Sequence, residues 1–291
     1  MVVVKVKGST YHMDNSLQIK WDKVKGGELA KYDEDRFYIV DGPEGSGKSV
    51  FTIQQGAYID PTILDDKDKK VLPRICFTAE EFLDAIRHNR STTEQTKVII
   101  FDEAFRGLSS KSAVSKNNKM LVEALMEARQ NNLLVFIVSP SFYLIEFYAA
   151  VLRCQALFHV IKERKTRRRY VRIFGRKDKA ILYQIGIRKG WGYPRRTKFR
   201  VRFFNIYPGG KEFEKKYRKK KRDSLRIKEK KVETHKWRKQ RDIMIKVLHK
   251  QGFSYRKIEK ILKKEGYNIT FGMIGKIIHG KESENGRFQG V

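Results

Sequence analysis

Cysteine is nearly missing from this chain: Cys76 and Cys154 are the only two in 291 residues. Neither has partners at metal-ligand spacing, which excludes a zinc finger or ribbon, and packing in a reducing compartment is their expected use. Long apolar runs are missing as well. No stretch approaches the roughly 18 residues that a membrane-spanning helix needs, and nothing resembles a secretory signal. A soluble, cytoplasmic protein is expected. Acidic residues are scarce in one part only: Ile161–Val291 carries 12 of the 33 Asp and Glu but 43 of the 64 Lys and Arg, whereas Met1–Val160 is balanced at 21 of each. The whole excess of +31 therefore lies in the second part. A Lys-rich surface serving solubility or heat tolerance would spread its charge evenly. A neutral part joined to a strongly basic one points instead to a polyanion, and nucleic acid is the commonest.

What is present begins with "IVDGPEGSGKSVF", Ile39 to Phe51. Gly42, Gly47, Lys48 and Ser49 fit the phosphate-loop pattern, with the short apolar strand Phe37–Val40 before them and Val50, Ile53 and Ala57 at helical spacing after. Glycines let the backbone curl so that its N–H groups face phosphate oxygens, and a helix N-terminus adds partial positive charge. Nucleotide binding is expected at Gly42, Pro43, Glu44, Gly45, Ser46, Gly47, Lys48, Ser49 and Val50. Lys48 is placed on the β- and γ-phosphates of ATP and Ser49 on Mg²⁺.

The second signal is "KVIIFDEAF". Val98–Phe101 is a continuous apolar run, as in a buried parallel strand, and it ends in two acids. Beside a phosphate loop, Asp102 is expected to hold the metal and Glu103 to orient or deprotonate the attacking water. Leu133–Val138 is a further buried strand, closed by Ser139, a γ-phosphate sensor or simply the start of a turn.

Around these motifs, Val2–Lys7 and Leu17–Trp21 read as strands. Arg74–Phe77 reads as another, followed by a helix to about His88 with Thr78 and Glu81 in a capping box. Arg106–Lys119 reads as a polar loop whose Lys111, Lys116 and Lys119 either touch DNA or are solvated, and Met120–Arg129 as a helix. The order of elements gives an α/β fold, a P-loop NTPase with a parallel sheet flanked by helices.

The arrangement of Asp102 and Glu103 on one strand and Ser139 at the end of the next resembles the FtsK-HerA superfamily of DNA-pumping ATPases, including the zonula occludens toxin-like ATPases of viruses and mobile elements. The resemblance covers about Arg36–Phe158 and rests on Gly42–Ser49, "VIIFDEA" and "EARQNNLLVFIVSP". It implies an oligomeric ring, ATP and Mg²⁺, double-stranded DNA as partner, and an arginine finger at Arg129, with Arg153 in reserve. In that superfamily the last strand often ends in glutamine, where this chain has Ser139. The "VSP" ending is similar to the coupling motif of large terminase motors. Those carry a nuclease domain, which needs clustered carboxylates, and between Ile161 and Gly210 the only acids are Glu163 and Asp178.

In the basic part, Arg167–Gly186 reads as two strands about a loop at Gly175–Lys179, a basic β-hairpin extension and either a phosphate platform or an edge guarded by cations. Lys211–Gln240 reads as a solvated helix or flexible linker. Beyond it, Ile243, Met244, Val247 and Leu248 mark one helix. Tyr255, Ile258 and Leu262 follow the cap Ser254, and Phe271, Ile274 and Ile278 follow the cap Thr270. These make a small C-terminal three-helix helix-turn-helix domain, which resembles those of resolvases and transposases. That resemblance puts Thr270, Gly272, Met273 and Lys276 near bases and Arg256 and Lys257 on phosphate. The expected divisions are 1–160 for the ATPase core, 161–210 for the basic extension, 211–235 for a linker, 236–281 for DNA binding and 282–291 for a tail.

Three functions follow as candidates: a motor on double-stranded DNA that translocates or packages a genome, an ATP-dependent DNA-binding switch, and a virion-assembly ATPase.

Overall fold

The computed structural model describes the chain apart from residues 67–69, 103–110, 189–191, 196, 198, 266, 268 and 280–291, and without the side chains of 111–117, 187 and 225–239. Glu103 lies outside the described residues. Two compact units divide the chain, Met1–Arg222 and Asp223–Val291.

The first unit opens with a hairpin, β1 (Val2–Val6) and β2 (Ser9–Met13), paired antiparallel. The chain then forms α1 (Asn15–Asp22) and the short α2 (Glu28–Lys31). Leu17–Trp21, expected as a strand, belongs to α1. Asp14 caps this helix by accepting the Ser16 N–H at 3.0 Å, and Leu17 and Trp21, four apart, fall on one buried face. Trp21 is held further by donating its indole N–H to Gln55 Oε1 at 2.8 Å.

Next come β3 (Arg36–Asp41), α3 (Lys48–Ile59), β4 (Ile75–Cys76), α4 (Ala79–Arg87), β5 (Val98–Phe101), α5 (Lys111–Gln130), β6 (Leu134–Val138) and β7 (Ala156–Lys162). These strands pair in parallel in the order β4-β5-β6-β3-β7. Both faces are covered, so successive residues alternate between two apolar layers rather than between core and solvent. Tyr38, Val40, Val98, Ile100 and Phe136 face α1, α3 and the hairpin. Phe37, Ile39, Ile99, Phe101 and Val135 face α4 and α5. The Thr78 hydroxyl accepts the Glu81 N–H at 3.2 Å, and Glu81 reaches back to the N–H of Phe77, one residue before the box expected for it. Helix α5 begins at Lys111, within the segment expected as a loop.

The sheet then continues into the basic part: β8 (Arg169–Phe174) and β9 (Phe199–Phe203) add antiparallel beyond β7. The expected division at residue 160 thus falls inside β7. The expected hairpin over Arg167–Gly186 is also replaced, because only its first strand forms and Arg176–Arg188 is helix α6. Lys179, Leu182 and Gly186, at spacings of three and four, make the buried face of α6. The Lys179 ammonium, fully buried, donates to the carbonyls of Ala150 and Val151.

Helix α7 (Gly210–Lys250) starts in the first unit. Its opening turns are not a solvated linker: Phe213 and Tyr217 are buried in the first core, and Lys220 donates to the carbonyls of Leu72 and Ile75 at 3.0 and 2.8 Å.

In the second unit the end of α7 joins α8 (Tyr255–Lys264) and α9 (Phe271–His279) around Ile245, Ile258, Leu262, Ile269 and Ile274. Ser254 caps α8 by accepting the Lys257 N–H. Ile245 and Leu248 turn inward here, whereas Ile243, Met244, Val247 and Phe271, expected inside, are exposed. The three-residue offset between Ile245 and Leu248 selects a different face of the helix than the longer apolar run suggests.

Candidate nucleotide site

The site is built where β3 ends and α3 starts. Gly42 has φ of +138°, and a Cβ there would stand 2.1 Å from the Val160 carbonyl oxygen, so only glycine lets the loop turn away from β7. Gly47 has φ of +101°, and its α-carbon faces Arg169 and Asn205 so closely that a Cβ would meet the arginine side chain at 3.1 Å. Between them the loop turns through Gly45 at φ of +72° and enters α3, whose first ladder bond runs from the Phe51 N–H to Gly47 O at 3.0 Å. Lys48 folds back along this loop and donates to the carbonyls of Gly42 and Pro43 at 2.7 and 2.9 Å. Burial lowers its pKa, opposed by the nearby carboxylates of Asp102, Asp41 and Glu44.

Asp41, the last residue of β3, anchors the loop from below. Its Oδ1 lies 2.9 Å from His159 Nδ1, and its Oδ2 accepts the Phe142 N–H at 2.9 Å and the Tyr193 hydroxyl. The His159 and Tyr193 rings stack with centroids 3.8 Å apart. This buried knot was not legible in sequence, since Asp41, His159 and Tyr193 are far apart along the chain and match no local pattern.

Asp102 stands at the end of β5, 1% exposed, with its N–H donating to Cys76 O. Its Oδ2 accepts the Tyr217 hydroxyl, and Lys221 Nζ lies 3.7 Å away. The Ser49 hydroxyl is hydrogen-bonded to the same phenol, whose pKa is raised well above its ordinary value, first by burial and then by Asp102. Asp102 Oδ1, Ser46 Oγ and Arg169 Nε are buried with no hydrogen-bond partner. Three orphaned polar atoms around one phosphate loop are an unfavourable arrangement that a phosphate-and-metal ligand would satisfy.

Between these groups lies a cavity of about 520 Å³, lined by Lys48, Ser49, Asp102, Ser139, Arg169 and Lys221 among others. Glu44, Gly45, Gly47 and Val50 also border it. Ser139, closing β6, is buried and donates its hydroxyl to Ser141 O at 2.8 Å. Sequence reasoning missed Arg169, Tyr217 and Lys221, because they arrive from the basic part read as an extension and linker. The spacing of Phe213 and Tyr217 was their one visible signal.

Strand β6 lies between β3, which carries the phosphate loop, and β5, which carries Asp102. The fold is that of a P-loop NTPase. No protein-family model matches the chain, and no curated protein does. Among solved structures it is similar to the ATPase domain of a replicative helicase, at 10% identity over 57% of this chain and 92% of that one, with a TM-score of 0.35. It is also similar to the N-terminal domain of zonular occludens toxin from Neisseria meningitidis, at 17% identity over 49% and 84%, with a TM-score of 0.28. Both likenesses are distant. The fold rests on strand order and loop geometry.

The remaining expected residues lie elsewhere. Arg129 is exposed and borders a separate surface cavity with Arg153, whose guanidinium donates to Asp35 Oδ2 at 2.5 Å and to Leu125 O at 3.2 Å. In the second unit Arg256, Lys257, Thr270, Gly272, Met273 and Lys276 are all on α8, on α9 or just before it, and none of them belongs to the buried core of that unit. Among the described residues no helix is long and apolar enough to cross a membrane.

Proposed function

We propose that the chain is an Mg²⁺-dependent ATPase that acts on double-stranded DNA as an oligomer, a motor of the kind that moves or packages a genome. One observation carries the ATPase part: a buried carboxylate oxygen of Asp102 without a partner faces a phosphate loop with Lys48 and Ser49. Asp102 and Ser49 fit a hard cation, which takes oxygen ligands and keeps several waters. When bound, Mg²⁺ neutralises charge on the phosphoryl oxygens.

The chain's own residues do the rest. The loop amides and the start of α3 hold the phosphates, and Lys48 leaves the carbonyls of Gly42 and Pro43 to reach them. Arg169, whose Nε has no protein partner, adds a charge-assisted donor beside Gly47. Ser139 is placed to sense the terminal phosphate, and Glu103, directly after Asp102 in sequence, is the proposed base. Arg129, being exposed, serves only through a neighbouring subunit. Support for DNA is the excess of basic residues in Ile161–Val291 together with the cations that α8 and α9 keep outside their core.

The test is the steady-state ATPase rate with and without long double-stranded DNA, for the natural chain and for Glu103→Gln. Strong stimulation by DNA, abolished by the substitution, is the expected result. Binding of DNA with an equally slow rate in its absence and presence would favour an ATP switch instead.

A further inference from the structure

Helix α7 does more than cover the cavity. Asp102 and Ser49, the two side chains that fit a divalent cation, are bridged by one phenol: the Tyr217 hydroxyl donates to Asp102 Oδ2 and is hydrogen-bonded to Ser49. Lys221, one turn further along α7, brings an ammonium to 3.7 Å from the same carboxylate oxygen. A hydroxyl and a positive charge thus sit at the carboxylate as a bound metal and its water would. The docking is firm. The Tyr217 ring packs on Phe77 and Tyr207, each with centroids 5.5 Å away, and Lys220 is tied to the carbonyls of Leu72 and Ile75. Lys48, meanwhile, is turned onto its own loop. Among the described residues, the buried side-chain atoms that this arrangement leaves open are Asp102 Oδ1, Ser46 Oγ and Arg169 Nε.

Magnesium demands near-ideal octahedral geometry with ligands at about 2.0–2.1 Å and holds its waters tightly. A phenol hydrogen-bonded to both side chains occupies the space that this shell requires. We propose that the Tyr217 hydroxyl, supported by Lys221, is a built-in competitor for the divalent cation: docking of the first turns of α7 and metal binding at Ser49 and Asp102 exclude one another. This rests on the reading of the cavity as a metal–nucleotide site and adds its regulation. Loading with metal and nucleotide releases the latch, and the site reverts to it when they leave. A ligand shifts such an equilibrium only by its differential affinity for the two states, so the latch lowers apparent metal affinity by the factor it contributes.

The experiment is equilibrium binding of a fluorescent ATP analogue to the full chain, titrated with Mg²⁺, for the natural protein, Tyr217→Phe and Lys221→Met. Both variants keep the apolar bulk that packs. Tyr217→Phe is expected to reach half-saturation at about tenfold lower Mg²⁺, the contribution of one hydrogen bond to a charged group, with metal-free nucleotide binding unchanged. Lys221→Met is expected to shift the midpoint in the same direction. Independently, amide exchange of residues 210–222 should quicken with Mg²⁺ and ATP together but not with ATP and a chelator. An unchanged or raised Mg²⁺ midpoint in Tyr217→Phe, with normal nucleotide binding, overturns the latch alone. Absence of nucleotide binding in every form, indifferent to Lys48→Ala, overturns the metal–nucleotide reading and the latch with it.

Discussion

Asp41 illustrates how single residues hold the site. It sits at the C-terminal end of a buried strand and answers three partners at once: the Phe142 N–H, the Tyr193 hydroxyl and the His159 ring. Asp41→Ala would strand those groups in a core without water, at about 1–3 kcal/mol for each unsatisfied one. A loss of at least about 3 kcal/mol in chemical denaturation is expected from three such groups, with loosening of the loop that follows. Asp41→Asn, which keeps an acceptor oxygen, should lose less than half as much. Arg169 gives the contrasting case, a residue whose removal should cost function rather than stability. Its Nε already lacks a partner, so Arg169→Ala should leave the thermal midpoint nearly unchanged. It should also weaken ATP binding about tenfold, and ADP binding less, as expected for one charge-assisted hydrogen bond. Calorimetric titration with both nucleotides separates the two outcomes.

Elements show where sequence patterning fails. Helix α6 carries Gly186 against Tyr143, whose hydroxyl would lie 2.1 Å from any Cβ placed there and which donates to Gly192 O. Gly186→Ala should therefore destabilise by about 1–3 kcal/mol through overpacking, read as a lowered unfolding midpoint in denaturant. If Arg167–Gly186 were a solvated hairpin, the same substitution would be harmless. The strands β3, β5 and β6 were legible because each is a short, continuous apolar run covered on both faces, and that pattern has few other solutions. The phosphate loop and Asp102 were legible because their chemistry is local in sequence. Leu17–Trp21 and Ala180–Gly186 were not, because a short segment with apolar residues at both even and odd offsets satisfies a period of 2 and of 3.6 equally well. Only a cap such as Asp14, or the partner that buries one face, decides between them. The opening of α7 was misread for a related reason. Two aromatics, Phe213 and Tyr217, in a heavily charged run look solvated until a core is found to receive them.

At the scale of the whole molecule the charge asymmetry is divided between two places. Some of the basic excess is used inside the first unit, where Arg169 and Lys221 line the nucleotide cavity and Lys179 is buried on backbone carbonyls. Such cations are unavailable to a polyanion. The cations of α8 and α9 are placed differently: Arg256, Lys257 and Lys276 stand on a small unit whose core is built from Ile245, Ile258, Leu262, Ile269 and Ile274, and none of the three enters it. If that unit grips DNA, each phosphate neutralised should steepen the dependence of log affinity on log salt by about 0.9. Replacing Arg256 and Lys257 together with alanine should then lower the slope by about 1.8 and weaken binding alike on all sequences. Thr270→Ala should leave the slope intact and change only the preference among sequences. A fragment ending at Arg222 should keep nucleotide binding and lose most of the slope. Were that fragment to retain the full slope, the phosphate contacts would belong to the arginines of β8 and β9, and α8 and α9 would need another partner.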